Sequence, residues 1–400
     1  MNERQVLNGL RVIDAGTMVA GPFSGTLLAD YGADVIKIEK PEQGDPIRAW
    51  SPVKDGKSLW WKVTGRNKRL VTLNLANPRG RELFLQLVSE ADAVVENYRP
   101  GTFARWGLGY AELAAVNPRI ILVHVSGYGQ TGPYSDRPGY GTIAEGISGI
   151  PSFTGFPDKP PTLSAFPLAD CLAAVFATMG LLAAIYERDV AGTGVGQEID
   201  VSLYEPVFRL AESQVIGYDQ LGLVKQRRGN RFEEDSPRNA YETADQEWIA
   251  ISASSDRTFG RLATAIGSPE LAEDARFIDN ASRIANNAEL DEIVGEWIRA
   301  RPADEVLNAF EDADVIAGRI YTVKDIFEDP HYEARSDIVE VPDADFGSVK
   351  MPAVFPKFSR TDYGVRWPGG RLGEHNREVF TGLLHMSEED LAAAREKNAI

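Results

Sequence analysis

The sequence contains little cysteine and little histidine, and these scarcities argue against several kinds of site. Its single cysteine, Cys171, excludes an internal disulfide and any thiolate metal site. The four histidines, His124, His331, His375 and His385, are scattered along the chain, which argues against zinc chemistry. We therefore expect no metal site in this protein.

Positive charge is also scarce relative to negative charge. The formal net charge of −17 at pH 7 disfavours nonspecific binding to nucleic acid or to anionic membranes. An anionic ligand would then need a local cluster of arginine, lysine or backbone N–H groups. The first 16 residues lack a basic region followed by an apolar core, so we predict no signal peptide and a cytoplasmic protein.

The length and the pattern of apolar segments predict two domains. A chain of 400 residues exceeds the usual size of a single core. Strand-like and helix-like segments alternate in the first part, which favours an α/β domain with a parallel sheet, helices on both faces and ligands beyond the carboxyl ends of the strands. Its predicted strands are residues 10–15, 33–39, 70–75, 93–96 and 120–125.

The pattern changes after a charged, irregular stretch at residues 224–238. We predict a large α/β domain at residues 1–223 plus 361–400, a small α+β domain at 239–324, and linkers at 224–238 and 325–360. Strands are expected within 318–323, 338–341 and 347–352, with a turn at 326–330. The tail has few apolar anchors of its own, so we expect it to pack back onto the large domain.

The longest apolar run lies within residues 161–188, and Asp170 stands at its start. We predict a helix at residues 168–188. Its apolar stretch at 171–186 makes about four turns, is expected to be buried nearly all round, and is short of the roughly 20 residues that span a bilayer. Asp170 would lie near the N-terminus of this helix. It is either a capping residue or a carboxylate nucleophile kept reactive by apolar surroundings, and the segment alone leaves both open.

Three further features carry weaker signals. The segment GYGQTG at residues 127–132 matches a dinucleotide-binding pattern, but the residues that follow it predict a loop, so we interpret it as a glycine-rich turn. Cys171 lies next to Asp170 with no histidine near it in sequence, which favours a buried structural thiol over a nucleophile. His375 either contacts the active site or caps a turn.

Several segments in a fixed order resemble one known family along nearly the whole chain. They are LxGLRVIDxG at residues 7–16, AGP at 20–22, and the stretches 27–45, 67–75, 91–102, 117–134 and 154–162, followed by the helix that begins near Asp170, the stretch from Gly192, and LGEHN at 372–376. The sequence is similar to the class III CoA-transferases, the group of formyl-CoA transferase and carnitine CoA-transferase. The resemblance implies a Rossmann-like large domain, a smaller α+β domain and an interlocked homodimer, in which each chain is a ring threaded by its partner.

The resemblance also implies the chemistry. Asp170 falls at the family's catalytic aspartate, which attacks the thioester of an acyl-CoA and forms first an anhydride and then an aspartyl-CoA thioester. CoA and acyl-CoA are then substrates, with a small carboxylic acid as the second substrate, no tightly bound cofactor, and no role for nucleic acid or membrane. The implied CoA-binding residues are Val19, Lys40, Leu73, Ala76, Asn97, Tyr98, Arg99, Arg105, Arg137 and Tyr140.

Two departures from the family pattern bear on the substrate. Formyl-CoA transferases carry glutamine where this chain has Val19, and a glycine-rich flap that residues 239–255 lack. Val19 has no side-chain donor, so backbone N–H groups would have to stabilise an oxyanion. We therefore expect an acid other than formate or oxalate, with an aryl, branched or dicarboxylic acyl group.

Two alternative functions share the expected fold and CoA site. An α-methylacyl-CoA racemase uses a histidine in a Gly-His-Asp stretch before the helix, where this chain has Gly139, Tyr140 and Gly141. Tyrosine is too weakly acidic to replace that histidine readily near neutral pH. A nonenzymatic acyl-CoA sensor would keep the binding residues but lack the nucleophile, and the presence of Asp170 argues against it.

Overall fold

The computed structural model describes residues 5–400, which divide into two units. Unit 1 contains the chain up to Ile150, Leu163–Leu223 and Ala334–Ile400. Unit 2 contains Pro151–Thr162 and Val224–Glu333. The domains predicted from the sequence, residues 1–223 plus 361–400 and residues 239–324, stay a prediction.

The regular elements alternate between strand and helix in unit 1. The strands in chain order are β1 (Arg11–Asp14), β2 (Asp34–Glu39), β3 (Val53–Lys54), β4 (Lys57–Ser58), β5 (Arg69–Thr72), β6 (Ala93–Glu96), β7 (Ile121–Ser126), β8 (Glu198–Ser202), β9 (Arg238–Glu242), β10 (Trp248–Ser252), β11 (Ala317–Arg319), β12 (Ile338–Asp343) and β13 (Gly347–Pro352). The helices are α1 (Ala20–Asp30), α2 (Leu59–Thr64), α3 (Pro78–Ser89), α4 (Thr102–Arg105), α5 (Tyr110–Val116), α6 (Gly141–Ile147), α7 (Ile150–Phe153), α8 (Leu168–Asp189), α9 (Tyr204–Leu210), α10 (Glu212–Leu221), α11 (Asp256–Ala265), α12 (Asn280–Ala285), α13 (Asn287–Arg299), α14 (Ala303–Asp312), α15 (Val323–Glu328), α16 (Pro330–Ala334) and α17 (Glu388–Glu396). Short 3₁₀ segments lie at Pro46–Ala49 and Pro269–Ala272, and a π-helical turn lies at Glu378–Leu383.

A six-stranded sheet in the order β5-β2-β1-β6-β7-β8 forms the centre of unit 1. Every neighbouring pair is parallel, which confirms the predicted α/β class. Side chains alternate between the faces, so Val12 packs under α1 and α8 while Ile13 packs under α3 and α5. The edge strand β8 was not predicted, because Glu198 and Asp200 interrupt its apolar pattern.

The C-terminal tail packs onto the same sheet. Leu391, Ala394, Ala399 and Ile400 belong to the core that also contains Ile13. The carbonyl of Ala399 accepts a hydrogen bond of 2.8 Å from the N–H of Asn74. The expectation that the tail returns to this part of the chain is confirmed.

Helix α8 has nearly the predicted bounds but is more exposed than the sequence predicts. It has 22 residues, about six turns, against the predicted 168–188. Its inner face, with Ala173, Ala177 and Leu181, is fully buried against α1, α6, α9 and the sheet. The opposite face is open, since Met179 is 59% and Tyr186 is 63% exposed. The prediction of burial nearly all round is therefore wrong, because unit 1 covers only one side of the helix.

By length and composition alone, α8 is also apolar enough to cross a membrane. A core helix of a globular protein passes the same test, and the buried inner face of α8 fits that class. The polar residues Asp170 and Arg188 lie in its first and last turns.

Unit 2 is built around a three-stranded antiparallel sheet in the order β11-β10-β9. Its core contains Phe259, Phe277 and Phe310 with apolar residues of α11, α13 and α14. The predicted strand 318–323 is shorter, and the predicted turn at 326–330 is replaced by α15 and α16. The reason is a capping box, in which Thr322 and Asp325 satisfy each other's backbone N–H groups and start α15.

A cluster of buried charges holds the loop that follows β1. Asp14, Lys37 and Lys68 are at most 1% exposed. The Lys68 ammonium donates to Asp14 Oδ2 at 2.9 Å and to the carbonyl of Pro22 at 2.6 Å. The Lys37 ammonium donates to the carbonyl of Gly16.

The two buried lysines differ in their pKa. Burial lowers the pKa of Lys37, but the carboxylates of Asp14, Asp45 and Glu39 outweigh this effect and raise the pKa overall. Burial is the dominant effect at Lys68 and lowers its pKa.

Replacing Lys68 tests this anchoring. Lys68→Met keeps the bulk of the side chain, but removes a cation from Asp14 and a donor from the carbonyl of Pro22. We expect the free energy of unfolding to fall by about 3–5 kcal/mol in urea titrations, as for other broken buried ion pairs.

Arg79→Met is the matched control, because Arg79 pairs with Glu82 on the surface at 2.8 Å. An exposed pair of this kind contributes about 0–1 kcal/mol. Equal losses in the two variants would contradict the anchoring role of Lys68.

Candidate active site

A cavity of about 580 Å³ lies in unit 1 beyond the carboxyl ends of β1, β6 and β7. This is the edge at which parallel sheets bind ligands. Its lining comprises residues 17–20, Trp50, 97–99, 125–127, 138–142, Glu145, 164–167, Asp170 and Leu203.

Asp170 lies in the first turn of α8, and its side chain does not cap the helix. The N-cap residue is Pro167, with no side-chain cap hydrogen bond. Burial raises the pKa of the Asp170 carboxyl to about 6. A hydrogen bond from the Asp170 backbone lowers this pKa, and the negative charge of Glu145 raises it further. The carboxylate is therefore ionised at neutral pH but poorly hydrated. These are properties of a nucleophile.

Gly141 leaves room for this carboxylate. A Cβ atom at position 141 would lie 2.1 Å from Asp170 Oδ2, closer than any non-bonded contact. Every other amino acid at this position would force the carboxylate or the start of α6 to move. The glycine thus fixes where the Asp170 side chain can lie.

The loop between β1 and α1 is held in a specific shape. The Asn97 side chain accepts the N–H of Thr17 at 2.7 Å and donates to the carbonyl of Thr17 at 2.9 Å. Asp45 accepts the N–H of Met18 at 3.0 Å, and Met18 adopts a left-handed backbone with φ of 64°. Such strain persists where surrounding contacts impose it and concentrates at functional sites. The loop turns the start of α1 towards the cavity.

The start of α1 supplies backbone donors. Val19 is the N-cap residue and Ala20 the first helical residue, and both line the cavity. The first N–H groups of a helix have no intrahelical acceptor and lie at the positive end of its dipole. They can therefore stabilise negative charge that develops on a substrate oxygen.

Two buried polar residues of the cavity were not predicted as site residues from the sequence. Glu145 is 5% exposed, and its Oε2 accepts the N–H of Ser164 at 3.0 Å. Ser126 is also 5% exposed. Two features of the sequence could have indicated them: Glu145 follows Gly141 by one helical turn, and Ser126 directly follows a predicted strand.

A buried Glu–His pair lies beneath the loop 97–99. Glu96 accepts the N–H of Tyr98 at 2.7 Å through Oε2 and pairs with Nδ1 of His124 through Oε1. Burial raises the pKa of Glu96. Burial lowers the pKa of His124, but hydrogen bonds and charge from Glu96 and Glu198 outweigh it and raise the pKa overall. His124 does not line the cavity, and no histidine is found among the lining residues given above.

The predicted CoA-binding residues fall into two groups. Val19, Asn97, Tyr98, Arg99 and Tyr140 line the same cavity as Asp170. The others do not line it: Leu73 is buried in the core, and the exposed remainder are Lys40, Ala76, Arg105 and Arg137. Lys40 directly follows β2, so it lies at the same edge of the sheet. The binding of CoA by these residues stays a prediction.

Among the described residues that line the cavity, Arg99 is the only cation. Outside the cavity, the Arg137 guanidinium lies 3.7 Å above the ring of Tyr134. Arg105 donates to Thr102 Oγ1 at 2.8 Å.

The structure answers three questions that the sequence raised. Burial, together with the charge of Asp170, raises the pKa of the Cys171 thiol to about 11, so the thiol is protonated and unsuited to nucleophilic attack. His375 Nδ1 accepts the N–H of Leu70 at 3.0 Å, which gives it a structural role beside β5 rather than a place in the cavity. Residues 127–132 form a bent, irregular loop and no helix begins at the motif, which confirms that it is not a dinucleotide-binding turn.

Comparisons with known proteins identify the family of this chain. The profile of CoA-transferase family III matches residues 7–376. Succinyl-CoA–D-citramalate CoA-transferase of Chloroflexus aurantiacus is 46% identical over 395 residues, covering 98% of each chain. The beta subunit of succinyl-CoA–L-malate CoA-transferase of the same organism is 41% identical over 398 residues, also covering 98% of each chain.

A solved structure supports the same assignment. The crystal structure of a CAIB/BAIF family protein from Brucella suis matches with a TM-score of 0.85 and 33% sequence identity, covering 95% of this chain and 100% of that one. The match to the family profile spans most of the chain, and the similarity to two CoA-transferases extends from end to end. This chain is therefore a CoA-transferase and belongs to CoA-transferase family III.

Proposed function

We propose that this enzyme moves CoA from succinyl-CoA to a small, hydroxylated dicarboxylic acid, with Asp170 as the covalent carrier. The observation that carries the proposal is an ionised and poorly hydrated carboxylate on the wall of a cavity at the carboxyl edge of the sheet. The names of the two relatives from Chloroflexus aurantiacus supply the donor and the class of acceptor. The apolar side chain of Val19 fits a branched or dicarboxylic acyl group better than formate.

The reaction needs four displacement steps. Asp170 attacks the thioester carbonyl of the donor, the carbon–sulfur bond breaks, and CoA thiolate leaves an anhydride behind. The thiolate attacks the carboxyl carbon of Asp170, which releases the first acid and forms an aspartyl-CoA thioester. The acceptor carboxylate then displaces the thiolate from Asp170, and the thiolate attacks the acceptor's carbonyl to regenerate the Asp170 carboxylate. No net proton transfer is required, so the site needs no general base.

Each displacement places negative charge on a carbonyl oxygen. Val19 has no donor in its side chain, so the backbone N–H groups at the start of α1 take the role of oxyanion donors. The hydrogen bonds from Asn97 and to Asp45 keep this loop in position. Water must stay out, because the anhydride and the thioester both hydrolyse.

The CoA moiety would extend from the cavity along the edge of the sheet. Its thioester end lies against Asp170, between Tyr98 and Tyr140. Lys40, Arg105 and Arg137, which lie outside the cavity lining, provide cations for its phosphates, which the overall charge of −17 would otherwise repel. CoA enters and leaves as a substrate and is not a resident cofactor.

We also propose that the enzyme acts as an interlocked homodimer. The open face of α8 exposes Val175, Met179 and Tyr186, and α10 exposes Ile216 and Leu221. We expect the partner chain to bury these apolar side chains. Light scattering should give twice the chain mass of 43.9 kDa, and a mass of one chain would contradict the dimer.

A transfer assay tests the proposed function. The enzyme is mixed with succinyl-CoA and a panel of acids, and new thioesters are separated by liquid chromatography. We expect thioesters of citramalate or malate, and none with Asp170→Ala. Exchange of an α-proton of an acyl-CoA for deuterium without transfer would instead favour the racemase.

The raised pKa of Asp170 predicts the pH dependence of the enzyme. The nucleophile is the ionised form, so kcat/KM should fall as the pH drops below about 6, with the slope of a single proton. An aspartate with its ordinary pKa near 3.8 would stay ionised and give a flat profile between pH 5 and 7. A flat profile would contradict the assignment of the nucleophile.

The charge of Glu145 should contribute to that pH profile. Glu145→Gln removes a negative charge that raises the pKa of Asp170, so the midpoint of the acid limb should move to lower pH. Glu187→Gln is the matched control, because Glu187 lies on the same helix about 25 Å from Asp170. A midpoint that shifts equally in both variants, or in neither, would rule out the proposed coupling.

The cost of keeping Asp170 ionised should appear in stability. Its pKa is raised to about 6 in the folded state from 3.8, so the ionised group destabilises the fold above that range. We expect Asp170→Asn to abolish transfer and to raise the free energy of unfolding at pH 7.5 by about 1–3 kcal/mol.

The stability gain should shrink as the pH falls from about 6 towards 4, because the folded wild-type protein takes up the proton at a higher pH than the unfolded chain does. Urea titrations at pH 7.5 and pH 5 measure both values. A variant less stable than the wild type at pH 7.5 would contradict the proposed cost.

A further inference from the structure

Ser126 has a buried hydroxyl group without a hydrogen-bond partner. The residue is 5% exposed at the end of β7, and its Oγ is paired with no other atom of the described chain. Its carbonyl is paired, because it accepts the N–H of Leu203 at 2.9 Å. An unpaired buried hydroxyl costs stability that alanine would avoid. Since Ser126 lines the cavity that contains Asp170, a ligand is the natural partner for this hydroxyl.

The other buried serines of the described part of unit 1 differ in this respect. Ser24 pairs with Thr178 at 2.9 Å, Ser58 accepts the N–H of Trp61, Ser148 donates to the carbonyl of Glu145, and Ser202 accepts the N–H of Glu205 at 3.1 Å. Ser202 is the partner of Ser126 in the register of β7 and β8. Among the buried serines of the described part of unit 1, only the one that lines the cavity has an unpaired hydroxyl; in unit 2, Ser236 Oγ is also buried and unpaired.

A glycine-lined floor connects Ser126 with the nucleophile. Gly127 packs against Gly139, since a Cβ at position 127 would lie 2.8 Å from Gly139 Cα. Tyr140 is extended, with φ of −132° and ψ of 167°, so two residues of chain lead about 7 Å from Gly139 to Gly141. Gly141 in turn touches the carboxylate of Asp170. Ser126 and Asp170 thus line the same cavity and are connected by this series of glycine contacts.

The charges around the cavity indicate which group Ser126 binds. The carboxyl group that reacts must lie against Asp170, and a second carboxylate is best matched by Arg99, the only cation among the described lining residues. Ser126 is neutral and both donates and accepts hydrogen bonds, which suits a substrate hydroxyl.

We propose that Ser126 is a specificity-determining residue that hydrogen-bonds the hydroxyl substituent of the acceptor acid. The proposal rests on the proposed function, in which the acceptor is a hydroxylated dicarboxylic acid. The hydroxyl group of the bound acid forms the hydrogen bond that Ser126 Oγ lacks within the protein. An acid without the hydroxyl leaves Ser126 buried and unpaired, which disfavours its transition state relative to that of the hydroxy acid.

The test compares two acids that differ only in this hydroxyl, citramalate and methylsuccinate. Values of kcat/KM are measured for both, with succinyl-CoA as donor, for the wild type and for Ser126→Ala. We expect the ratio of citramalate to methylsuccinate to fall about tenfold in the variant. The melting temperature should stay the same or rise, because no hydrogen bond within the protein is lost.

Ser202→Ala is the matched control. Ser202 is fully buried but bonded to the N–H of Glu205 and absent from the cavity lining. We expect this variant to melt at a lower temperature and to keep the wild-type ratio of the two acids.

Three outcomes would overturn the proposal in distinct ways. An equal loss of kcat/KM with both acids in Ser126→Ala would indicate that the Ser126 hydroxyl binds the reacting carboxyl group, which both acids share. A lower melting temperature with an unchanged ratio would give Ser126 a structural role. A wild type that transfers CoA to neither acid would refute the proposed acceptor class itself, and with it the role of Ser126.

Discussion

The site depends on one carboxylate that stays charged with little water around it. Asp170 is at the start of a long apolar helix, where the helix dipole favours its charge while burial raises its pKa to about 6. Moving the group into water would lower its reactivity, and deeper burial would protonate it. Gly141 and Glu145 set this balance from one side, the first by leaving space and the second by its charge.

The rest of unit 1 holds the groups that face this carboxylate. The parallel sheet brings the ends of β1, β6 and β7 to one edge, and buried polar contacts fix the loops after β1 and β6. Lys37 and Lys68 hold the loop after β1, while the Glu96–His124 pair holds the loop after β6. Such networks are rigid only when every member is satisfied. The unpaired hydroxyl of Ser126 stands out against them, and for this reason we assign it to the substrate.

The sequence predicted the parts of the fold that depend on local patterns. Five of the six strands of the central sheet, the long apolar helix and the place of Asp170 follow from apolar periodicity and helix signals. Strand β8 was missed because Glu198 and Asp200 obscure its alternation at the sheet edge. The exposed face of α8 was missed because composition tells how apolar a helix is, but not which neighbours cover it.

The site was predicted unevenly for a similar reason. Asp170 was found through its position before an apolar run, and the cavity-lining members of the predicted CoA set through family resemblance. Glu145 and Ser126 carry no such local signal, since their importance arises from burial beside a residue distant in sequence. The space at Gly141 is likewise visible only once the Asp170 carboxylate is seen to occupy it.

The measurement that most directly tests the central claim is intact-protein mass spectrometry after incubation with succinyl-CoA. The account predicts an adduct on the wild type whose mass is that of CoA less one water. This is the mass of a thioester between the Asp170 carboxyl group and the CoA thiol. The adduct should be absent from Asp170→Ala and present on Glu145→Gln. An adduct that persists in Asp170→Ala, or active transfer without any adduct, would contradict the role of Asp170 as the covalent carrier.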